Sequence, residues 1–214
     1  MISVCIEHVR GVWFGLAYHG DRIVATGTAA DREGVARSVC ASLPRGGRFA
    51  VDEEASDYAR GVLRLLSQLE AGDEEAPFFE LCPDCVGEPL ASVARVASAI
   101  PRGFVATYGG IAAAAGTEAR VVGHIMATNP LYPIIPCHRV VGADLSLVGY
   151  TGSQGAPALR AKLGRLRAEA RGFTEPRTVA TTAGSAGLAV YPVERAIAKA
   201  ARDGLDDGGQ LSLW

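Results

Sequence analysis

The chain has 214 residues, 49% of them hydrophobic and 21% charged, with a formal net charge of −2. That balance supports a sizeable core, and it excludes a chain disordered by composition or one with a helix apolar and long enough to cross a bilayer. The small net charge argues by itself against a nucleic-acid partner, but it hides a segregation: residues 1–85 carry 8 basic and 14 acidic side chains, residues 86–170 carry 8 and 4, and residues 171–214 carry 5 of each.

Residues 11–18, 19–22 and 23–26 read as strand, tight turn and strand, with a Gly-Asp turn between β-branched and aromatic runs. A short helix is expected over 32–41. Between 53 and 69, Tyr58, Val62, Leu65, Leu66 and Leu69 recur at three and four, which predicts an amphipathic helix. Gly72 to Pro77 breaks the pattern and reads as a linker. The expected division is a small supporting α/β domain over 1–77, a linker with a C-x-x-C over 78–88, a second α/β domain over 89–170, and an extension of unknown role over 171–214.

In the second domain, residues 92–100 are helical in pattern and stop at Pro101-Arg102-Gly103. An extended piece, Phe104-Val105-Ala106, leads to a small-residue helix over 111–115 that ends at Gly116. Thr117 precedes another helix, 118–127, and the pair reads as a helix-turn-helix. Short strands are expected over 139–141 and 146–148, then a Gly-containing loop over 150–155 and a basic helix over 158–170. In the extension, a polar stretch (178–187) precedes an Ala-rich helix from Pro192 to about Gly204, with Val193, Ile197, Ala200 and Leu205 on its packed face.

The chemistry concentrates in Pro136-Cys137-His138-Arg139-Val140. A thiolate is among the best side-chain nucleophiles, and a neighbouring imidazole raises its fraction near neutral pH. In extended backbone the two side chains would point to opposite faces, so a bridging water is the easier proton route. The five cysteines are odd in number and scattered, which suits a reducing compartment and a soluble cytoplasmic protein. Met1 to Ile6 also lacks a basic region ahead of an apolar stretch. Cys82-Pro83-Asp84-Cys85 leaves several readings open: half of a zinc site completed by Cys5 with His8 or Cys40, a disulfide, or two plain thiols.

Thr107-Tyr108-Gly109, Ala119-Arg120-Val121-Val122-Gly123, Asn129-Pro130, the Cys137 turn and Gly149-Tyr150 follow one another in an order that resembles the alkylguanine-DNA alkyltransferases, or methylated-DNA–protein-cysteine methyltransferases. The resemblance is dense from about Pro89 to Tyr150 and absent from the last forty or so residues. It implies that Cys137 accepts an alkyl group from the exocyclic oxygen of guanine, and by extension of thymine, in a flipped base of double-stranded DNA. It implies that His138 is the base, and that Glu169, at the end of Lys162-Leu163-Gly164-Arg165-Leu166-Arg167-Ala168-Glu169, holds it. That run departs from the family pattern at Gly164-Arg165.

The same resemblance assigns Asn129 to holding the turns around the nucleophile, and Tyr108 to crowding the target phosphate and donating a proton to the departing guanine. Arg120 would take the place of the extruded base, Ala119 and Gly123 would let their helix lie close to the minor groove, and Arg139 would face DNA. Met126, Leu147, Val148, Gly149, Tyr150 and Thr151 would wall the alkyl pocket. No cofactor is implied, and a monomer is expected. A lesion sensor that binds without reacting is a second reading, which the retained Cys137 opposes. A Cys-His hydrolase is a third, for which no further motif speaks.

Overall fold

A computed structural model describes residues 1–44, 46, 48–52, 54–72, 80–82, 84–181 and 187–205. Most of the expected linker (residues 73–77, with 78 and 79), Pro83 of the C-x-x-C, and residues 182–186 of the polar stretch lie outside the described residues. The chain divides into two compact units, residues 1–98 with 129–136, and residues 99–128 with 137–214.

In the first unit, β1 (Ile2–Val9), β2 (Val12–His19) and β3 (Arg22–Ala29) form an antiparallel meander. Both residues between β1 and β2, Arg10 and Gly11, have positive φ (51° and 83°), the backbone that a tight two-residue hairpin needs to match strand twist. Helix α1 (Arg32–Ala41) starts at Asp31, whose carboxylate accepts from Gly34 N at 2.7 Å. It lies close over the sheet because Gly15 carries no Cβ: a Cβ there would stand 2.7 Å from Val39 Cγ2 and 2.9 Å from Val35 Cγ2. Strand β4 (Phe49–Val51) adds in parallel to β1, giving the order β3-β2-β1-β4. Helix α2 (Asp57–Ala71) is capped by Ser56 and ended by Gly72 at φ 72°, so the periodicity of 53–69 marks a real helix whose first turn is cut back by the cap.

The first unit also takes in helix α3 (Leu90–Ser98) and the loop 129–136, which departs from a boundary at residue 89. Backbone pairing accounts for the loop. Thr26 N donates to Pro130 O (2.9 Å), Thr26 Oγ1 donates to Tyr132 O (2.8 Å), and the Tyr132 hydroxyl reaches Glu70 on α2.

The second unit is built on β5 (Phe104–Thr107), followed by α4 (Tyr108–Ala115) and α5 (Ala119–Thr128). Gly116, at φ 66°, ends α4 and turns the chain into α5, the helix-turn-helix pair. A 3-10 turn over Cys137–Arg139 leads to β6 (Val140–Val141), and then comes α6 (Ala156–Glu169). The expected strand over 139–141 is therefore shortened by that turn. No strand forms over 146–148, because Leu145 (φ 66°) and Val148 (φ 57°) adopt left-handed backbone that no ladder accommodates.

Beyond residue 171, β7 (Arg177–Val179), β8 (Leu188–Pro192) and α7 (Val193–Arg202) complete this unit. The sheet order is β6-β5-β8-β7, so β8 pairs with β5 at the centre. Val193, Ala196 and Ala200 share one core cluster with Val105, Val141, Leu163 and Leu166. Phe173 stacks on Phe104 (4.9 Å between centroids), and the Arg177 guanidinium lies 4.0 Å over the same ring. The tail, which no motif explained, is thus core structure of the second unit. Ending the chain at Pro176 should strip β5 of one of its two strand partners and α6 of its contacts with α7. Hydrogen exchange of α6 amides should then rise to near-unfolded rates, and protection as in the full chain would show the tail to be dispensable.

Candidate active site

The 3-10 turn changes the geometry expected for Cys137 and His138. With three residues per turn, successive side chains diverge by about 120° rather than 180°. Cys137 lines a cavity of about 520 Å³, while His138 and Arg139 point to the end of α6. All three residues are buried.

Glu169 meets them there. Its Oε1 accepts from His138 Nε2 at 2.8 Å and from an Arg139 terminal nitrogen at 2.8 Å, and its Oε2 accepts from Arg139 Nε at 2.9 Å. Gly103 N donates to the same Oε2 at 3.4 Å. A carboxylate can only accept, so the His138 proton sits on Nε2 and Nδ1 is the nitrogen left to receive one. That Nδ1 is buried, with no hydrogen-bond partner among the described residues. Burial pushes the His138 imidazole below its ordinary value against the opposing pull of Glu169, which keeps it a neutral base. Burial would raise the Glu169 carboxyl, but the His138 and Arg139 hydrogen bonds outweigh it and hold it down to about 2.

Arg139 is the clear departure from expectation. The resemblance implies a DNA-facing role for it, yet it is 9% exposed, forks onto Glu169 and donates to Ile100 O at 2.8 Å. A guanidinium spent on a buried carboxylate and a carbonyl has no face left for phosphate. Its position directly after His138 signalled a cation but not which way the turn would aim it.

Of the residues expected to wall the alkyl pocket, Met126 and Val148 to Thr151 line the cavity, whereas Leu147 is packed into the core of the second unit. The lining comprises Ala119, Arg120, Gly123, Met126 and Ala127 of α5, the loop from Val148 to Gln154, and Tyr108 with Cys137. The α5 residues are spaced at one, three and four, so they share one helix face while Val122 and Ile125 are buried. Arg120 and Ala119 are exposed, and a Cβ on Gly123 would meet nothing within 4 Å. Glycine inside a helix costs up to about 1 kcal/mol relative to alanine, and nothing in the protein's own packing asks for it here. Burial, then the charge of nearby Cys137, pushes the Tyr108 phenol up, so it stays protonated. Asn129 lies in the other unit, where Nδ2 donates to Ile135 O (2.9 Å) and Oδ1 accepts from Leu131 N (3.3 Å), bracing the loop that precedes Cys137 in the chain.

Lys162, given no role of its own from the sequence, is fully buried. Its ammonium donates to Val140 O (2.6 Å), Leu147 O (2.9 Å) and Gly149 O (3.0 Å). The last two carbonyls flank Val148, a β-branched residue at φ 57°, and Gly149 N closes on Leu147 O at 2.7 Å. Such a backbone costs of order 1–3 kcal/mol and persists only where its surroundings impose it. Burial pushes the Lys162 ammonium down to about 8, opposed by Cys137. The available signal was spacing: Lys162, Leu163, Leu166 and Glu169 occupy one helical face at intervals of one, three and three, two charges at core positions.

These shifts fix a pH dependence. An unfolded chain takes up the His138 proton near 6.5, whereas the folded protein resists it, so stability falls as pH drops below that value. The Glu169 contribution, complete above 4.5, is lost as pH falls towards 2. Urea unfolding midpoints should decline through this acid range. Glu169→Gln should cost about 3 kcal/mol or more near neutrality by leaving Arg139 buried and half-paired, and it should flatten the lower part of the profile. An unchanged profile in that variant would mean that other carboxylates carry the effect.

Residues 90–171 match the family described as 6-O-methylguanine DNA methyltransferase, DNA binding domain. A methylated-DNA–protein-cysteine methyltransferase of Thermococcus gammatolerans is 33% identical over 145 residues, 63% of this chain and 79% of that protein. One from Pyrobaculum aerophilum is 60% identical over 53 residues, 25% of this chain and 36% of that relative, and the match to the Salmonella typhimurium protein spans 54% of it. The crystal structure of the O6-methylguanine-DNA methyltransferase of Pyrococcus kodakaraensis superposes with a TM-score of 0.56 at 28% identity, covering 79% of this chain and 99% of that one. Mycobacterium tuberculosis OGT, determined in complex with DNA, gives 0.55 at 25%, covering 78% and 92%. Extended likeness to the Thermococcus relative, in a chain that pairs Glu169 with the histidine next to Cys137 and sets a helix-turn-helix ahead of them, shows that this chain belongs to the methylated-DNA–protein-cysteine methyltransferase family.

Proposed function

We propose that this protein repairs DNA by moving an alkyl group from the exocyclic oxygen of guanine onto Cys137, once per molecule. The observation that carries the reading is a His138–Glu169 pair next in sequence to Cys137, which itself lines a cavity shared with the exposed Arg120 of α5. The Cys137 proton passes to His138 Nδ1, directly or through a water molecule, and the imidazolium is stabilised by Glu169. The sulfur lone pair then attacks the alkyl carbon, the carbon–oxygen bond breaks, and its electrons pass into the purine as the Tyr108 phenol supplies a proton. The product is a thioether, which offers no carbonyl for water to attack, so the protein is consumed. The donor is the damaged DNA itself, and the chemistry calls for no cofactor.

The base must leave the duplex to reach Cys137, at a cost of roughly a few kcal/mol. Arg120, exposed at the first turn of α5, is the side chain suited to fill the gap, with Ala119 and Gly123 permitting close approach to the sugar-phosphate walls. The apolar wall of Met126 and Val148 suits an alkyl substituent.

Excess methylated duplex should be repaired only to one equivalent of protein, with the added mass on a peptide containing Cys137. Sustained turnover, or full activity in Cys137→Ser, would overturn the proposal.

Arg120→Ala should slow repair of duplex at least tenfold while leaving reaction with free benzylated guanine within about twofold, because the free base needs no extrusion. Equal losses on both substrates would move Arg120 into the transfer step itself.

A further inference from the structure

The first unit gathers three soft ligating side chains that the transfer chemistry does not use. One ligand atom each from His19, Cys82 and Cys85 lies within 4.8 Å of the other two. Backbone bonds make the juxtaposition. His19 ends β2 and pairs with Arg22 across the hairpin turn. Leu81 pairs in parallel with Ile23, Ile23 N donates to Glu80 O at 2.9 Å, and Cys82 N donates to Ile23 O at 2.8 Å. The approach to Cys82 is therefore stitched to the same hairpin end that carries His19.

The chain then turns on itself. Cys85 N and Val86 N both donate to Cys82 O, at 3.1 and 2.8 Å. A C-x-x-C closed in this way brings both sulfurs to one side, the arrangement in which such pairs ligate metal. The completing ligand expected from sequence was Cys5 with His8 or Cys40, and the group found contains His19 in their place. Cys82 is buried in the core of this unit, Cys85 is half-buried and His19 is exposed, so the cluster has a firm base and an open side for entry.

We propose that His19, Cys82 and Cys85 bind a soft divalent cation of the zinc class, with a solvent molecule as fourth ligand. The site clasps the β2–β3 hairpin to the segment that leads into α3. Two thiolates and an imidazole select zinc-like ions over magnesium or calcium. At ordinary zinc–sulfur and zinc–nitrogen bond lengths the ligand atoms of a tetrahedral site stand about 3.5–3.8 Å apart, so closure from the present spacing takes about an ångström of side-chain rotation. Each thiol gives its proton to solvent as the metal binds. Three protein ligands rather than four make the ion exchangeable, and no step of alkyl transfer passes through it.

The probes are zinc and cobalt(II), added separately to full-length protein that has been reduced and stripped with a chelator. One equivalent of cobalt should bind with thiolate-to-metal charge-transfer absorption. Cys82→Ser with Cys85→Ser should abolish that absorption, and His19→Ala should weaken binding more than tenfold. Zinc at a hundredfold excess over Kd should raise Tm by roughly 5 °C or more. The unaltered protein provides a readout free of folding effects: zinc should protect Cys85 from iodoacetamide while exposed Cys40 stays reactive. Absence of the thiolate band, its persistence in the double variant, or equal labelling of Cys85 with and without zinc would each overturn the proposal.

Discussion

Glu169 accepts from His138 and Arg139 in a place where water cannot compete, and the rest of the active site inherits its geometry from that sharing. The carboxylate fixes which imidazole nitrogen carries the proton. The guanidinium balances the carboxylate so that the imidazole need not be protonated to satisfy it. A buried anion with one cationic partner would tend to draw a proton onto the histidine and spoil it as a base. With Arg139 as the permanent partner, His138 stays neutral and ready, which agrees with the direction in which burial moves it.

The same helix performs a second task two turns earlier. Lys162 spends its ammonium on three carbonyls, two of them on either side of Val148. That holds a β-branched residue in left-handed backbone at the wall of the cavity, where an ordinary strand would have run past. Helix α6 therefore carries both the carboxylate that holds His138 and the ammonium that shapes the cavity wall. Its own position depends on α7 and β8, whose residues share its core cluster, so the tail is linked through packing to the helix that carries Glu169 and Lys162.

The external face obeys a different economy. Gly123 is left small although the fold leaves room for a larger residue, and Arg120 stands in solvent beside the cavity mouth. Features that cost stability and satisfy nothing internal are understandable when a second molecule must approach closely. Under the proposed function, a duplex groove that admits α5 and gives up a base would make both demands. The charge segregation between residues 1–85 and 86–170 acts in the same sense.

Local patterns were enough to determine the elements whose causes are local. The hairpin over β2 and β3, helices α1 and α2 with their Asp31 and Ser56 caps, and the helix-turn-helix closed by Gly116 all follow from spacing, capping and turn residues. The order of short motifs around Cys137 carried the family as well. Tertiary structure decided what depends on direction in space. An extended reading of Cys137-His138-Arg139 and the observed 3-10 turn use the same letters, yet they aim Arg139 to opposite fates, towards phosphate or onto Glu169. Lys162 looked like one more basic residue until the fold put three carbonyls around it. The tail, silent in motifs, became the central partner of β5. The C-x-x-C found His19 because backbone pairing across distant segments brought them together. Sequence spacing records the neighbours a residue has along the chain, and each of these outcomes was set by neighbours that only folding supplies.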